Sequence, residues 1–255
     1  MKNPRGNEEE KKSIVSTWPL MGSYVPFITI TSVYLFLVFV FLPKFMSNRK
    51  PYNLKFIIRW YNIGQICMCV YAVWKLHLFG FSFKNTWKCI PTDGEFTRQL
   101  MQLNESYWFF IIMRLVEYFE TIFFVLRKKS HQVSALHVYH HISTAFLLIT
   151  FLKYSGGIME VYLGAVNSVV HIIMYIYYLL SSFEMTKGLT NKVKPFLTLI
   201  QITQLVIILG HSIVGALPSC GTVHWVYYLQ IINLSLLLTL FVRFYRQSFS
   251  KKKEN

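Results

Sequence analysis

Acidic residues are scarce: 11 Asp and Glu stand against 26 Lys and Arg, a formal net charge of +15. No basic helix with interleaved aromatics accompanies that excess, which argues against nucleic acid as a partner. Cysteine is scarcer still, at four residues. There is no Gly-x-Ser-x-Gly elbow, so the serine nucleophile of the common acyl-transfer folds has no place here. The chain shows no internal repeat and no sign of a second domain. No charged n-region followed by a short apolar region and an A-x-A site opens it, so the first apolar run is expected to be a retained span.

What is present is apolar surface. Of 255 residues 54% are hydrophobic and 17% aromatic, and they come in long blocks, the composition of an integral membrane protein. Seven stretches are long enough to cross about 30 Å of hydrocarbon as helices. They are Val25 to Leu42, Phe56 to Leu76, Trp108 to Leu126, Leu136 to Leu152, Ile158 to Leu180, Phe196 to Val214 and Val226 to Phe244. The expectation is an all-α protein with a tail over residues 1–24, a seven-helix domain over 25–244 and a second tail over 245–255. Placing the C-terminus in the cytoplasm puts 16 of the 26 basic residues on that side and nine on the other, with Arg114 inside the third span. The positive-inside rule favours that orientation and makes the first tail luminal. Much of the net charge is then a topology signal.

Cys67 and Cys69 fall inside the second span and read as packing residues. Cys89 and Cys220 fall in non-cytoplasmic loops, where oxidising conditions permit a disulfide, and are expected to be bonded. Lys252 and Lys253 lie in the terminal "KKKEN". Their spacing resembles a cytoplasmic dilysine retrieval signal and points to the endoplasmic reticulum membrane. Asn104-Glu105-Ser106 is a glycosylation sequon beside the third span.

Polar groups inside spans are costly unless they face one another or a wet cavity, so each is a functional candidate. The third span carries "RLVEYFET", with Arg114, Glu117 and Thr121 on one face and Glu120 beside them. The fourth opens with "HVYHH", placing His137, His140 and His141 at i, i+3 and i+4. The fifth carries "NSVVHIIMYIYY", in which Asn167, His171, Met174, Tyr175 and Tyr178 form one stripe. The sixth has Lys194, Thr198, Gln201 and Gln204 at helical spacing. At about 1.5 Å per residue, Glu117, Glu120, His140, His171, Gln201 and Gln204 are expected within about 8–13 Å of the cytoplasmic ends of their spans. Gln201 and Gln204 also read as interhelical hydrogen bonds, and Tyr177 or Tyr178 as part of an interfacial belt.

Two chemistries suit such a cluster. Histidines at i, i+3 and i+4 with carboxylates nearby can hold a metal, but His77, His211 and His224 belong to the opposite membrane face and there is one clustered box, too few for a di-iron site. No metal is expected, although one ion held by three His and a Glu suits the residue types. Alternatively, a neutral imidazole oriented through its other nitrogen by Glu117 or Glu120 acts as nucleophile or general base. With no cysteine at this depth, acyl transfer would have to run on histidine.

The four segments resemble, in order, the motifs K-x-x-E-x-x-D-T, H-x-x-H-H, N-x-x-x-H-x-x-M-Y-x-Y-Y and T-x-x-Q-x-x-Q of the very-long-chain fatty acid elongases of the endoplasmic reticulum. Arg114 stands for Lys and Glu120 for Asp, both keeping charge. The resemblance runs from about Pro51 to the tail. It implies that spans two to seven enclose a tunnel open to the cytoplasm, and that the enzyme condenses a long-chain acyl-CoA with malonyl-CoA to give a 3-oxoacyl-CoA, carbon dioxide and CoA. No cofactor is implied, malonyl-CoA being a co-substrate. By the same resemblance His140 would carry the acyl group, His171 would manage malonyl decarboxylation, and His137 and His141 would orient and polarise. Arg114, Glu117, Glu120, Thr121, Asn167, Met174, Tyr175, Tyr178, Gln201 and Gln204 would bind substrate, and Lys194 would meet CoA phosphates. A 3-ketoacyl-CoA reductase is the implied downstream partner, and an oligomer is left open. A non-haem iron desaturase or hydroxylase and a seven-span receptor or carrier are the rival classes.

Overall fold

The computed structural model describes residues 14–78, 87, 97–155, 158–220 and 222–249. Cys89, Lys252, Lys253 and most of both tails lie outside the described residues. All regular structure among the described residues is helical. Six helical segments are long and apolar enough to cross a membrane: Val25–Met46, Lys55–Leu78, Ala135–Tyr154, Val161–Ser181, Glu184–Gly215 and His224–Phe249. The chain divides into two compact units, Met1–Leu54 with Ile90–Val161 and Lys55–Cys89 with Tyr162–Asn255.

In the first unit, the first span is built from α1 (Val25–Phe36), a π-helical turn (Leu37–Phe41) and α2 (Leu42–Met46). Pro43 lacks the N–H that an uninterrupted α-helix would direct to the Phe39 carbonyl. The chain widens just upstream, where the Leu42 N–H donates to the Leu37 carbonyl, five residues back. Ile28, Phe36, Phe39 and Val40 are exposed, a surface suited to lipid contact.

α4 (Thr97–Val116) and α5 (Tyr118–Leu126) contain the expected third span, but as two helices rather than one. The interruption is at Glu117, whose carbonyl accepts the Glu120 N–H in a tighter i to i+3 turn at 3.0 Å. This pair is not among the six apolar segments: the interruption leaves α5 nine residues long, and α4 carries Asn104, Glu105 and Arg114. α6 (Ala135–Tyr154) packs against α4. At its far end Lys153 Nζ donates to the Met21 carbonyl at 2.6 Å and lies 4.9 Å from the Tyr24 ring centroid. Trp108 Nε1 donates to the Pro19 carbonyl at 2.9 Å. Val15 and Met21 are buried, so the segment before the first span is folded onto this unit. Asn104 is also buried.

The second unit contains α3 (Lys55–Leu78), most of α7 (Ile158–Ser181), α8 (Lys187–Gly215) and α9 (His224–Phe249). α3 buries Asn62, Gln65, Cys69, Ala72 and Leu76, alternating three- and four-residue steps that make one helical stripe. Its Arg59 donates from Nε and Nη2 to the Ser182 hydroxyl and carbonyl, each at 3.0 Å, and lies over the Phe183 ring. α8 and α9 pack closely after the 3₁₀ turn Pro218–Cys220. Gly215 permits this approach: a Cβ there would sit 2.3 Å from Tyr227 Cε1. Cys220 is disulfide-bonded, whereas Cys67 and Cys69 are in no disulfide.

Candidate functional site

The histidine box enters its helix through a cap. Ser134 is extended, and its Oγ accepts the His137 N–H at 3.1 Å, satisfying a donor that the first turn of α6 otherwise leaves open. The following turns present His137, His140 and His141, with His141 buried and the other two half-buried.

The "RLVEYFET" segment lies against this face. Arg114 Nη1 donates to Glu117 Oε2 at 2.8 Å, and both residues are buried, at 3% and 0% exposure. The same carboxylate oxygen lies 3.4 Å from His141 Nδ1, an electrostatic contact rather than an aligned hydrogen bond. On the other side of that ring Glu120 Oε2 lies 3.9 Å from Nε2. The two carboxylates therefore flank His141, and Arg114 compensates the charge of Glu117 within the low-dielectric interior.

His137 is held differently. Its Nε2 is 2.9 Å from Thr121 Oγ1, and Thr121 is fully buried. The Phe124 ring lies 5.3 Å away on one side and the His141 ring 4.4 Å away on another. His140 stands edge-on to His141 at 5.3 Å, and its carbonyl accepts the Thr144 hydroxyl at 2.6 Å. His141 thus has both other imidazoles in ring contact, a grouping suited to nucleophilic or acid–base chemistry on a ring nitrogen.

Three residues absent from the motif reading belong to this cluster. Tyr34 OH lies 2.9 Å from Thr121 Oγ1, the Tyr34 and Tyr118 rings stack at 4.2 Å, and Tyr118 OH lies 3.2 Å from Thr31 Oγ1. The available signal was modest: Thr31 and Tyr34 are three apart in a mostly apolar span that also carries Thr29 and Ser32.

Glu120, His137 and His141 each offer a ligand atom, all within 4.8 Å of one another. The residue types suit a divalent transition ion. As built, His137 Nε2 is engaged by Thr121 at 2.9 Å and His141 Nε2 is 3.9 Å from Glu120. Those contacts describe a hydrogen-bonded cluster that would have to rearrange to bring three ligands about 2.1 Å from one ion.

In the second unit the "NSVVHIIMYIYY" stripe faces inward over part of its length. His171, Met174 and Tyr175 are buried and Asn167 is half-buried, whereas Tyr178 is 37% exposed. The His171 and Tyr175 rings are 5.7 Å apart, and Tyr61 from α3 meets Tyr175 edge-on at 6.2 Å. Gln201 on α8 donates from Nε2 to Met174 Sδ at 3.4 Å. Gln204 and Thr198 are buried on the same face of α8, and Lys194 is exposed near its start.

Comparison with known proteins finds similar sequences over nearly the whole chain. The chain is 30% identical over 242 residues to very long chain fatty acid elongase 4 of Mus musculus, covering 94% of this chain and 77% of that one. It is 31% identical over 245 residues to very long chain fatty acid elongase 1 of Homo sapiens, covering 94% and 86%. It is also 31% identical over 240 residues to very long chain fatty acid elongase 5 of Rattus norvegicus, covering 93% and 79%. The ELO profile, described as the GNS1/SUR4 family, matches residues 19–255. On the family match and these identities, the chain belongs to the ELO (GNS1/SUR4) family, that of the very-long-chain fatty acid elongases.

Proposed function

We propose that this protein elongates fatty acids, condensing a long-chain or very-long-chain acyl-CoA with malonyl-CoA to give a 3-oxoacyl-CoA, carbon dioxide and CoA. The observation that carries this reading is the histidine box with His137 held by Thr121 and the buried His141 flanked by Glu117 and Glu120, in a protein with six apolar helices among the described residues. In the first half-reaction a ring nitrogen of His140 attacks the acyl thioester carbon. The C–S bond breaks, CoA leaves with a proton, and an acyl-imidazole remains. In the second, malonyl-CoA loses carbon dioxide, and its enolate carbon attacks the acyl carbonyl. The C–N bond then breaks, the departing imidazolate takes up a proton to regenerate His140, and the 3-oxoacyl-CoA is released.

Glu117, with Arg114 behind it, and Glu120 hold His141 beside the reacting ring, and Thr121 holds His137. His171 is assigned the malonyl unit and its decarboxylation. Met174, Tyr175, Tyr178, Asn167, Gln201 and Gln204 are assigned to substrate contact, and Lys194 to the CoA phosphates. The broken helix pair α4–α5 is read as the third of seven spans, its charges turned away from lipid. The protein is placed in the endoplasmic reticulum membrane with a cytoplasmic C-terminus, and its product would pass to a 3-ketoacyl-CoA reductase.

The test is conversion of acyl-CoA and malonyl-CoA to 3-ketoacyl-CoA by purified protein in bilayers, without added metal or oxygen. Incubation with acyl-CoA alone should leave an acyl group on His140, detectable by peptide mass spectrometry. Turnover by His140→Ala at the wild-type rate would refute the nucleophile assignment. The Glu120, His137 and His141 cluster favours one second reading, a metal-dependent acyl desaturase or hydroxylase. That reading requires activity to depend on oxygen and to be lost on chelation, with chain length unchanged.

A further inference from the structure

Thr121 differs from four other helical threonines of this chain. Thr144, Thr150, Thr198 and Thr239 each donate their hydroxyl to the carbonyl four residues back, His140, Phe146, Lys194 and Ser235. That is the default for threonine in a helix. Thr121 instead directs its hydroxyl outward, to Tyr34 OH and His137 Nε2, each at 2.9 Å. Its own carbonyl four residues back belongs to Glu117, where the helix is interrupted and that oxygen accepts the Glu120 N–H.

Two hydrogen bonds to one hydroxyl constrain each other. Thr121 has a single proton. If Tyr34 donates to Thr121 Oγ1, the threonine proton is free to point at His137 Nε2, which then accepts and leaves the ring proton on Nδ1. Tyr34 is well placed to impose that order. Its hydroxyl is buried where water cannot substitute, at 3% residue exposure. Its ring is stacked on Tyr118, which is itself tethered to Thr31 of α1 at 3.2 Å. A phenol is also a better donor than an alkyl hydroxyl. Without it, Thr121 would rotate toward the helix carbonyls, and His137 would lose its partner.

We propose that Tyr34, on the first span and outside the family motifs, is a positioning residue that acts through Thr121 to hold His137 in its Nδ1-protonated form. The inference rests on the elongase reading for its kinetic consequence but not for its structural one. It extends the catalytic apparatus to a span that the motif resemblance leaves outside the tunnel.

Histidine ¹⁵N NMR on the full chain in nanodiscs tests the structural part, with the His137 signal assigned by its loss in His137→Gln. The wild type should show His137 with an unprotonated, hydrogen-bonded Nε2, and Tyr34→Phe should shift that signal toward a mixture of tautomers. For turnover, Tyr34→Phe and Thr121→Val should each lower kcat about five- to tenfold, the loss expected for one buried hydrogen bond. KM for acyl-CoA should stay within about twofold. Tyr34→Phe combined with Thr121→Val should be no slower than Thr121→Val alone, because both break one relay. Thr121→Ser, which keeps the hydroxyl, should recover most of the kcat that Thr121→Val loses.

A wild-type His137 protonated on Nε2 would overturn the proposal, and needs no variant to fold. So would an unchanged signal and rate in Tyr34→Phe, or additive losses that follow thermal stability. If the wild type makes no 3-ketoacyl-CoA, the elongase reading falls, while the NMR comparison still decides the relay.

Discussion

Replacing Glu117 by glutamine keeps the side-chain shape and removes the carboxylate charge 2.8 Å from Arg114 Nη1. The magnitude depends on burial. An exposed pair at this distance contributes up to about 1 kcal/mol, because water screens it and competes for both partners. Here the side chains are 4% and 0% exposed, so the guanidinium would keep its desolvation penalty without the charge that offsets it. Breaking one partner of a buried pair costs about 3–5 kcal/mol. Removing both charges together, as in Arg114→Leu with Glu117→Leu, should recover most of that loss, since no uncompensated charge remains.

The assay is a double-mutant cycle on thermal or SDS-induced unfolding in one detergent, followed by tryptophan fluorescence, with turnover measured in parallel. Each single variant should be strongly destabilised and the double variant nearly as stable as wild type. All of them should be impaired in turnover, because Glu117 Oε2 also lies 3.4 Å from His141 Nδ1. Single variants that unfold with the wild type, or a coupling energy under about 1 kcal/mol, would show that the pair behaves as a solvated one. The argument for a dry site around His141 would then be wrong.

Gly215→Ala should destabilise α8 against α9, because the new methyl would sit 2.3 Å from a ring carbon of the fully buried Tyr227. Tyr227→Leu should restore part of the loss in a thermal-shift comparison, and equal melting of Gly215→Ala and wild type would refute the clash. Ser134→Ala removes the cap on the His137 N–H and should cost about 1 kcal/mol. Hydrogen exchange confined to the first turn of α6 would report it, and unchanged protection there would count against the cap. Non-reducing peptide mapping should find Cys220 in a disulfide and Cys67 and Cys69 alkylated. We expect its partner to be Cys89, and recovery of Cys89 as a free thiol would refute that pairing.

Much of the site could be read from local spacing. Helical periodicity alone puts His137, His140 and His141 on one face and Arg114, Glu117 and Thr121 on another, because side chains three and four apart share a face whatever surrounds them. The cost of polar groups in hydrocarbon then turns those faces inward, as the burial of Arg114, Glu117, Thr121 and His141 bears out. The same reasoning read Lys194 near the start of the sixth span, and it is exposed there. The third span was harder to read. Periodicity does not report an interruption at Glu117, since the residues on both sides remain helical and only the turn between them tightens.

Sequence by itself determined that this chain is a helical membrane protein with a histidine box among carboxylates, since chain length, apolar runs and i, i+3, i+4 spacing are local properties. It left open which carboxylate serves which imidazole. Tertiary packing decided that both flank His141, that Thr121 meets His137, and that Tyr34 meets Thr121. The physical reason is distance along the chain. Tyr34 and Thr121 are 87 residues apart, and hydrogen bonds require donor and acceptor within about 3 Å. Such a contact exists only after separate helices have packed.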